Sequence, residues 1–325
     1  MKGLFRTALM PENGGSIDHS KKVLMMGSCF SEHIGKKLID RKFNAVLNPF
    51  GILYHPLAIL AAITRLIENN PFTMHDLSLA EDRYISFYHH GKFNHSEPLI
   101  MLKGINESFE KGREQLLKAD YLFITWGTAF GYSHVENKNQ IVGNCHKIPA
   151  KQFKKELTMP KTIVAPYLEM FKQIKQCNPK IKIVLTVSPV KHLKDGLVDN
   201  NLSKSVLLLA AHQLIDEVEN ASYFPAYELI TDDLRDYRFF AKDMAHPSED
   251  AIEYVWDYFK DSFWNDSTKS LNKRIESVLN AMLHRPLHPE NKAHLVFIES
   301  MKSKIAELEA EFPFLDFEME KKNSI

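Results

Sequence analysis

The sequence predicts an α/β protein built on a mainly parallel sheet with helices on both faces. Three runs carry that expectation: Lys22 to Gly27, Asp120 to Trp126 and Lys182 to Val187 are short, almost continuously apolar and closed by glycine or by Ser188-Pro189. A strand covered on both faces reads as an uninterrupted apolar run, whereas a strand with one wet face alternates. Helical spacing fills the intervals, and such alternation of strand and helix favours parallel pairing.

The elements follow in order from the polar leader and its Gly14-Gly15 turn. The first strand ends at Gly27, and Phe30 to Ile39 then places Ile34, Leu38 and Ile39 at helical spacing. Strand, sharp turn and helix therefore meet at Ser28. Phe43 to Leu47 reads as a second strand ending in the turn Asn48-Pro49-Phe50-Gly51, and Pro56 to Glu68 as a helix. Residues 71 to 118, with the aromatic and histidine-rich stretch Tyr84 to His95, read as an insertion of strands or a long loop. Further helices are expected at Ala165 to Gln176 and Lys204 to Glu219, and Ser222 to Ile230 is expected to be the last strand or a bend. Past Trp264 the pattern turns to amphipathic helix, including Leu295 to Phe312. These readings divide the chain into a catalytic domain over 1 to 262 and a helical C-terminal extension over 263 to 325.

Composition narrows the function classes. Lys+Arg and Asp+Glu stand at 41 each, so the whole-molecule field does not draw in nucleic acid or an anionic membrane. The first twenty residues lack an export-type apolar core, and the longest apolar candidate, Ile52 to Ile67, is interrupted by His55 and Arg65. Cys29, Cys145 and Cys177 are an odd count without metal-site spacing, which argues against a disulfide framework and fits a reducing compartment. A cytoplasmic protein without metal or cofactor is expected; the oligomeric state is left open.

In open α/β sheets, ligands bind at the carboxyl ends of the strands. That rule selects Ser28, Asn48 to Gly51, Gly127-Thr128 and Ser188. A serine at a strand-to-helix turn can simply cap the helix. What favours chemistry is Asp243-Met244-Ala245-His246-Pro247, placed directly before a helix with Ala251, Val255, Trp256 and Phe259 near its apolar face. An aspartate three residues before a histidine can hold one imidazole nitrogen while the other draws a proton from a hydroxyl, the arrangement that serine nucleophiles require.

Gly27-Ser28-Cys29-Phe30-Ser31 resembles the signature of the GSCFA family, a branch related to the SGNH hydrolases, with Ser31 in place of the final alanine. Asn48-Pro-Phe-Gly51, Trp126-Gly-Thr-Ala129, Asn144-Cys-His-Lys147, Ser188-Pro-Val190, Tyr223 to Glu228, Asp233 to Arg238 and Asp243 to Pro247 match the family pattern in the same order. The resemblance covers roughly residues 20 to 260. It implies a three-layer flavodoxin-like fold of SGNH type and a serine hydrolase acting on a small-molecule or carbohydrate acyl ester, with Ser28 as nucleophile, His246 as base and Asp243 as its orienter. Gly51 matches the glycine whose N–H helps hold the oxyanion. Where the SGNH pattern has Gly-x-Asn, this chain has Gly127-Thr128-Ala129, so Thr128 or Asn144 substitutes or the site is differently used; Asn144 is the chemical equivalent.

Other residues invite other readings. Cys145-His146 suggests a cysteine nucleophile, but chain neighbours seldom point at one another. Cys29 is expected to be buried under the first turn. His89, His90 and His95 match no zinc motif. His192, near a strand end, is a candidate substrate contact, and Arg235 and Arg238 are expected to brace the Asp-His turn. An alcohol acceptor in place of water would make the protein an O-acyltransferase; loss of catalysis would leave a ligand-binding scaffold. An assembly module built on the helical tail is a further alternative.

Overall fold

A computed structural model of the chain describes residues 7–12, 14–136, 140–283 and 291–323. The main chain alternates β1 (Lys22–Gly27), α1 (Cys29–Asp40), β2 (Asn44–Leu47), α2 (Pro56–Ile67), the hairpin β3 (Ser78–Ala80) and β4 (Arg83–Ile85), then α3 (Pro98–Lys118) and β5 (Tyr121–Trp126). A second hairpin, β6 (Phe130–His134) with β7 (Phe153–Leu157), precedes α4 (Pro160–Cys177), β8 (Lys182–Val187), α5 (Leu197–Glu217) and β9 (Ala221–Tyr223). A short helical turn α6 (Ala226–Glu228), α7 (Glu249–Phe263), α8 (Asp266–Leu283), α9 (Lys292–Glu311) and α10 (Glu318–Asn323) complete the chain.

Five strands form one parallel sheet in the order β2-β1-β5-β8-β9, the flavodoxin-like arrangement. Successive strand residues face opposite sides, so each strand feeds two cores. Leu24 and Met26 of β1, Leu122, Ile124 and Trp126 of β5, and Ile183 and Leu185 of β8 pack under α2, α3, α4 and α5. Val23, Met25, Tyr121, Phe123 and Val184 pack under α1 and α7. The chain reverses direction of strand addition between β1 and β5, which opens the crevice at their carboxyl ends.

One expectation changes. Residues 98–118 are neither strands of an insertion nor a loop: α3 starts at Pro98 and buries Met101, Ile105, Phe109 and Leu116, one face at near-fourfold spacing, in the core beneath β1 and β5. What lies beyond the sheet is the shorter stretch of β3, β4 and the aromatic loop. The last apolar segment supplies both a strand and a bend, with β9 limited to Ala221–Tyr223 and Leu229–Leu234 wound as wide helical turns.

Helices α8 and α9 carry their own core, in which Leu271, Ile275 and Val278 meet Ile305, Leu308, Leu315 and Phe317. This layer docks on the residues just ahead of β2: Arg41 pairs with Glu276 at 2.7 Å, Lys42 with Glu320 at 2.7 Å, and the Lys42 ammonium sits 5.1 Å from the Phe317 ring. It therefore lies toward the amino ends of the strands. Among the described residues no helix is long and apolar enough to cross a membrane.

Two histidines are core residues. His55 caps α2 through Nδ1 and is pushed down to about 4 by burial; His89, stacked on Phe50, is pushed down to about 3 by burial and then by the Arg65 charge. Both are neutral when folded and take up a proton on unfolding, so stability is full above pH 6.5 and falls as pH drops toward 4. His89→Phe should flatten that slope by about one proton, read from urea unfolding midpoints between pH 7 and 4.

Candidate active site

The turn after β1 is set by contact with β5. Gly27 has φ +138°, and a Cβ there would stand 2.1 Å from the Thr125 carbonyl oxygen, so only glycine fits. Its N–H donates to Asn48 Oδ1 at 2.8 Å, and the Ser28 N–H donates to Thr125 O at 3.1 Å. Ser28 then caps α1: extended at φ −74°, ψ 177°, it accepts from the Phe30 N–H at 3.4 Å. The serine is buried and is not among the lining residues; its neighbour Cys29 lines a cavity of about 660 Å³.

The opposite wall comes from residues 240–248. Phe240 bridges Pro247, the Ala241 N–H donates to His246 O at 2.8 Å, and Met244 takes φ +55° to turn the chain. Asp243 ties this turn together. Its Oδ1 accepts the Ala245 and His246 N–H groups at 3.0 Å each, and its Oδ2 lies 2.7 Å from His246 Nδ1. The two backbone donors first, then the imidazole, hold the Asp243 carboxyl at about 2, ionised at neutral pH. An ionised carboxylate only accepts, so Nδ1 carries a proton, and in the neutral ring Nε2 is the acceptor. The Lys191 N–H donates to Ala245 O at 3.0 Å, which fixes the turn to the chain leaving β8.

Cys29, Asp243 and His246 line one cavity, and His33 of α1 is near enough that the His246 imidazole helps to hold its own pKa down, after burial. The turn bearing Ser28 and the Asp-His turn thus come to the same rim, without a hydrogen bond between Ser28 and His246.

The remaining sequence candidates divide. His192 borders this cavity; burial first and then the Lys204 charge push it down to about 4, so it is neutral at pH 7, and its Nε2 is buried without a partner. Asn144 also borders it, with Oδ1 fixed by the His146 N–H at 2.7 Å so that the amide NH2 is left over. Thr128 reaches the cavity, but its hydroxyl is engaged by Ser203 and by the Phe130 N–H. The Gly127 and Thr128 N–H groups both go to Tyr54 O. Gly51 does not border the cavity: at φ +77° its N–H closes the turn onto Asn48 O at 2.7 Å, and a Cβ would meet His90 Cβ at 2.3 Å. Its glycine serves packing. Cys145 borders the cavity with its thiol pushed up to about 11 by burial, the wrong direction for a nucleophile. His89 is packed among Phe50, Phe72 and Phe93, and among the described residues no cluster of His, Cys, Asp or Glu could hold a metal ion.

Lys204 was not anticipated. Fully buried in α5, it donates from Nζ to Gly127 O at 2.6 Å and Ser188 O at 2.7 Å, so one ammonium joins the carboxyl ends of β5 and β8 under the cavity. Burial brings it down to about 7. The available signal was a lysine on the stripe Asn200, Ser203, Leu207, Ala211, Leu214, which otherwise faces inward.

The fold and site define a flavodoxin-like α/β protein with a serine-capped first helix and an Asp-His pair at the carboxyl edge of its sheet. The chain belongs to the GSCFA family: the GSCFA family model matches residues 22–259, and the model of the GSCFA domain protein C-terminal domain matches residues 275–323. No curated protein matches the chain. Solved structures similar to it include a Streptococcus pneumonia protein described as a platelet activating factor, at 10% identity and TM-score 0.37 over 78% of this chain and 85% of that one. Another is a carbohydrate esterase family 3 protein from Talaromyces cellulolyticus, at 9% identity and TM-score 0.30 over 79% of this chain and 99% of that one.

Replacing Lys204 by methionine would leave two buried carbonyls without donors. The expected cost is about 2 kcal/mol or more, measured as a shift in urea midpoint at pH 7. Because folded Lys204 loses its proton below the unfolded value of about 10.4, its burial penalty is full below pH 7 and fades as pH rises toward 10. The wild type should therefore gain stability relative to Lys204→Met across that window.

Proposed function

We propose that this protein is a serine hydrolase that cleaves a small acyl ester through an acyl-enzyme on Ser28. The observation that carries the reading is the Asp243–His246 pair, with Nδ1 anchored at 2.7 Å and Nε2 left to accept a proton, facing the cavity that Cys29 opens beside Ser28. In the proposed reaction His246 takes the Ser28 proton as Oγ attacks the acyl carbon. The C–O bond to the alcohol breaks as the same proton passes to the leaving oxygen. Water, activated by His246, then releases the acid and frees Ser28. An alcohol in place of that water makes the same site an O-acyltransferase.

Capping by Ser28 is compatible with attack, since hydrogen bonds between nucleophile and base often tighten only around substrate. Charge on the tetrahedral oxygen needs donors that are not already committed. The Ser28 and Gly51 N–H groups are engaged by Thr125 and Asn48, so the reading assigns the role to the Asn144 amide and, in the tautomer bearing a proton on Nε2, to neutral His192. Those same commitments favour a second reading, a ligand-binding protein on this scaffold. A cytoplasmic setting and the absence of nucleic-acid or membrane partners remain part of the proposal.

A fluorophosphonate probe followed by peptide mass spectrometry separates the readings. One adduct is expected on Ser28, absent from Ser28→Ala and formed far more slowly by His246→Ala. An unlabelled wild type beside a labelled control hydrolase favours the binding protein; labelling of Ser28→Ala discards the assignment. On an aryl ester substrate, Asn144→Ala should lower kcat by roughly 10²-fold with a smaller effect on KM.

A further inference from the structure

A second cavity, of about 920 Å³, adjoins the first along Asn144, which lines both. Its walls come from the β3–β4 hairpin, the loop His90 to Asn94 and the segment Asn144 to Gln152. That last segment is held in place by bonds on both sides: the Gly143 N–H donates to Phe87 O at 2.6 Å, and His146 Nε2 lies 2.9 Å from Ser86 O. His146 and Lys147 are consecutive left-handed residues, at φ 50° and 62°. Such backbone is strained for a residue with a side chain and persists where surrounding structure imposes it.

The chemistry of the wall is specific. A carbonyl only accepts, so His146 Nε2 is the donor to Ser86 O; burial lowers the pKa of the ring and keeps it neutral, and Nδ1 is then a bare acceptor. His146 Nδ1 and Asn94 Oδ1 are both buried without a partner, two acceptors in want of donors. The first of these acceptors and the Asn94 amide nitrogen lie about one space: a Cβ on Gly91 would be 3.8 Å from Asn94 Nδ2 and 4.0 Å from His146 Nδ1. Gly91 is not among the positive-φ glycines, so its backbone does not demand glycine. The missing side chain leaves room beside the unmatched His146 Nδ1 and the Asn94 amide nitrogen. The charged rim balances, with Glu81 and Asp82 against Arg83 and Lys147, and Arg83 lies 3.8 Å from Asp82. An anion therefore finds no net attraction, whereas a hydroxyl group can donate to His146 Nδ1 and accept from the Asn94 amide.

We propose that this cavity binds the alcohol portion of the substrate, an uncharged hydroxyl-rich group such as a sugar or polyol, while the first cavity takes the acyl portion. The assignment of an alcohol portion rests on the ester chemistry proposed above; the binding of a hydroxyl-rich ligand does not.

The test uses the full chain carrying Ser28→Ala, which cannot turn substrate over, with saturation-transfer NMR of methyl β-D-glucopyranoside and glycerol and with inorganic phosphate as competitor. The glycoside is expected to bind, phosphate not to displace it, and Gly91→Ala to weaken it about tenfold. Asn94→Leu, which removes the polar wall but leaves the space beside Gly91, should weaken it likewise, with both variants checked for unchanged melting. If Gly91→Ala proves unfolded, Asn94→Leu decides. No glycoside binding, binding indifferent to the folded variants, or displacement by phosphate overturns the subsite. Fluorophosphonate labelling reads the ester chemistry independently: unlabelled Ser28 with intact glycoside binding sinks the hydrolase alone, and labelled Ser28 with indifferent variants sinks the subsite alone.

Discussion

The close approach of β1 to β5 at Gly27 governs the rest of the site. With the Thr125 carbonyl 2.1 Å from where a side chain would begin, the chain must turn through a conformation reserved for glycine. That turn leaves Ser28 extended at the head of α1 and gives its N–H to Thr125. Asn48, at the end of β2, completes the clamp by accepting the Gly27 N–H. Three strand ends are thereby locked around one serine, and the position of the hydroxyl is a property of the sheet rather than of a loop.

Across the crevice the construction is different. His246 belongs to an exposed turn held by hydrogen bonds, chief among them those of Asp243, which receives two backbone donors and one imidazole. One partner is fixed by packing and the other by local hydrogen bonds. Lys204 underlies both, since the carbonyls it holds belong to the strand-end turns of β5 and β8, and the chain leaving β8 anchors the Asp-His turn through Lys191. A buried ammonium with two carbonyl partners is costly to desolvate, and breaking it would release both edges of the crevice at once.

Much of this was legible in the sequence, for physical reasons that differ by residue. The strands were visible because burial on both faces leaves an unbroken apolar run, and the Asp243–His246 pairing was visible because both partners lie within one turn. The helix α3 was obscured because its core face, Met101, Ile105, Phe109 and Leu116, is diluted by Lys103, Glu107, Glu110 and Lys111 on the solvent side. Long-range hydrogen-bond commitments were not legible: that Ser28 spends its N–H on Thr125, or that Lys204 points inward, depends on contacts between segments distant in sequence. The chemical identity of a residue shows what it can donate, not what has already claimed it.

The docking of α8 to α10 ahead of β2 gives the molecule two poles. The terminal helices meet Arg41 and Lys42 where the strands begin, while the cavities open where they end. A macromolecule seated on the helical pole would leave the mouth unobstructed. The two poles are joined most directly by α1, whose N-cap is Ser28 and whose C-cap, Arg41, pairs with Glu276 of the docked layer.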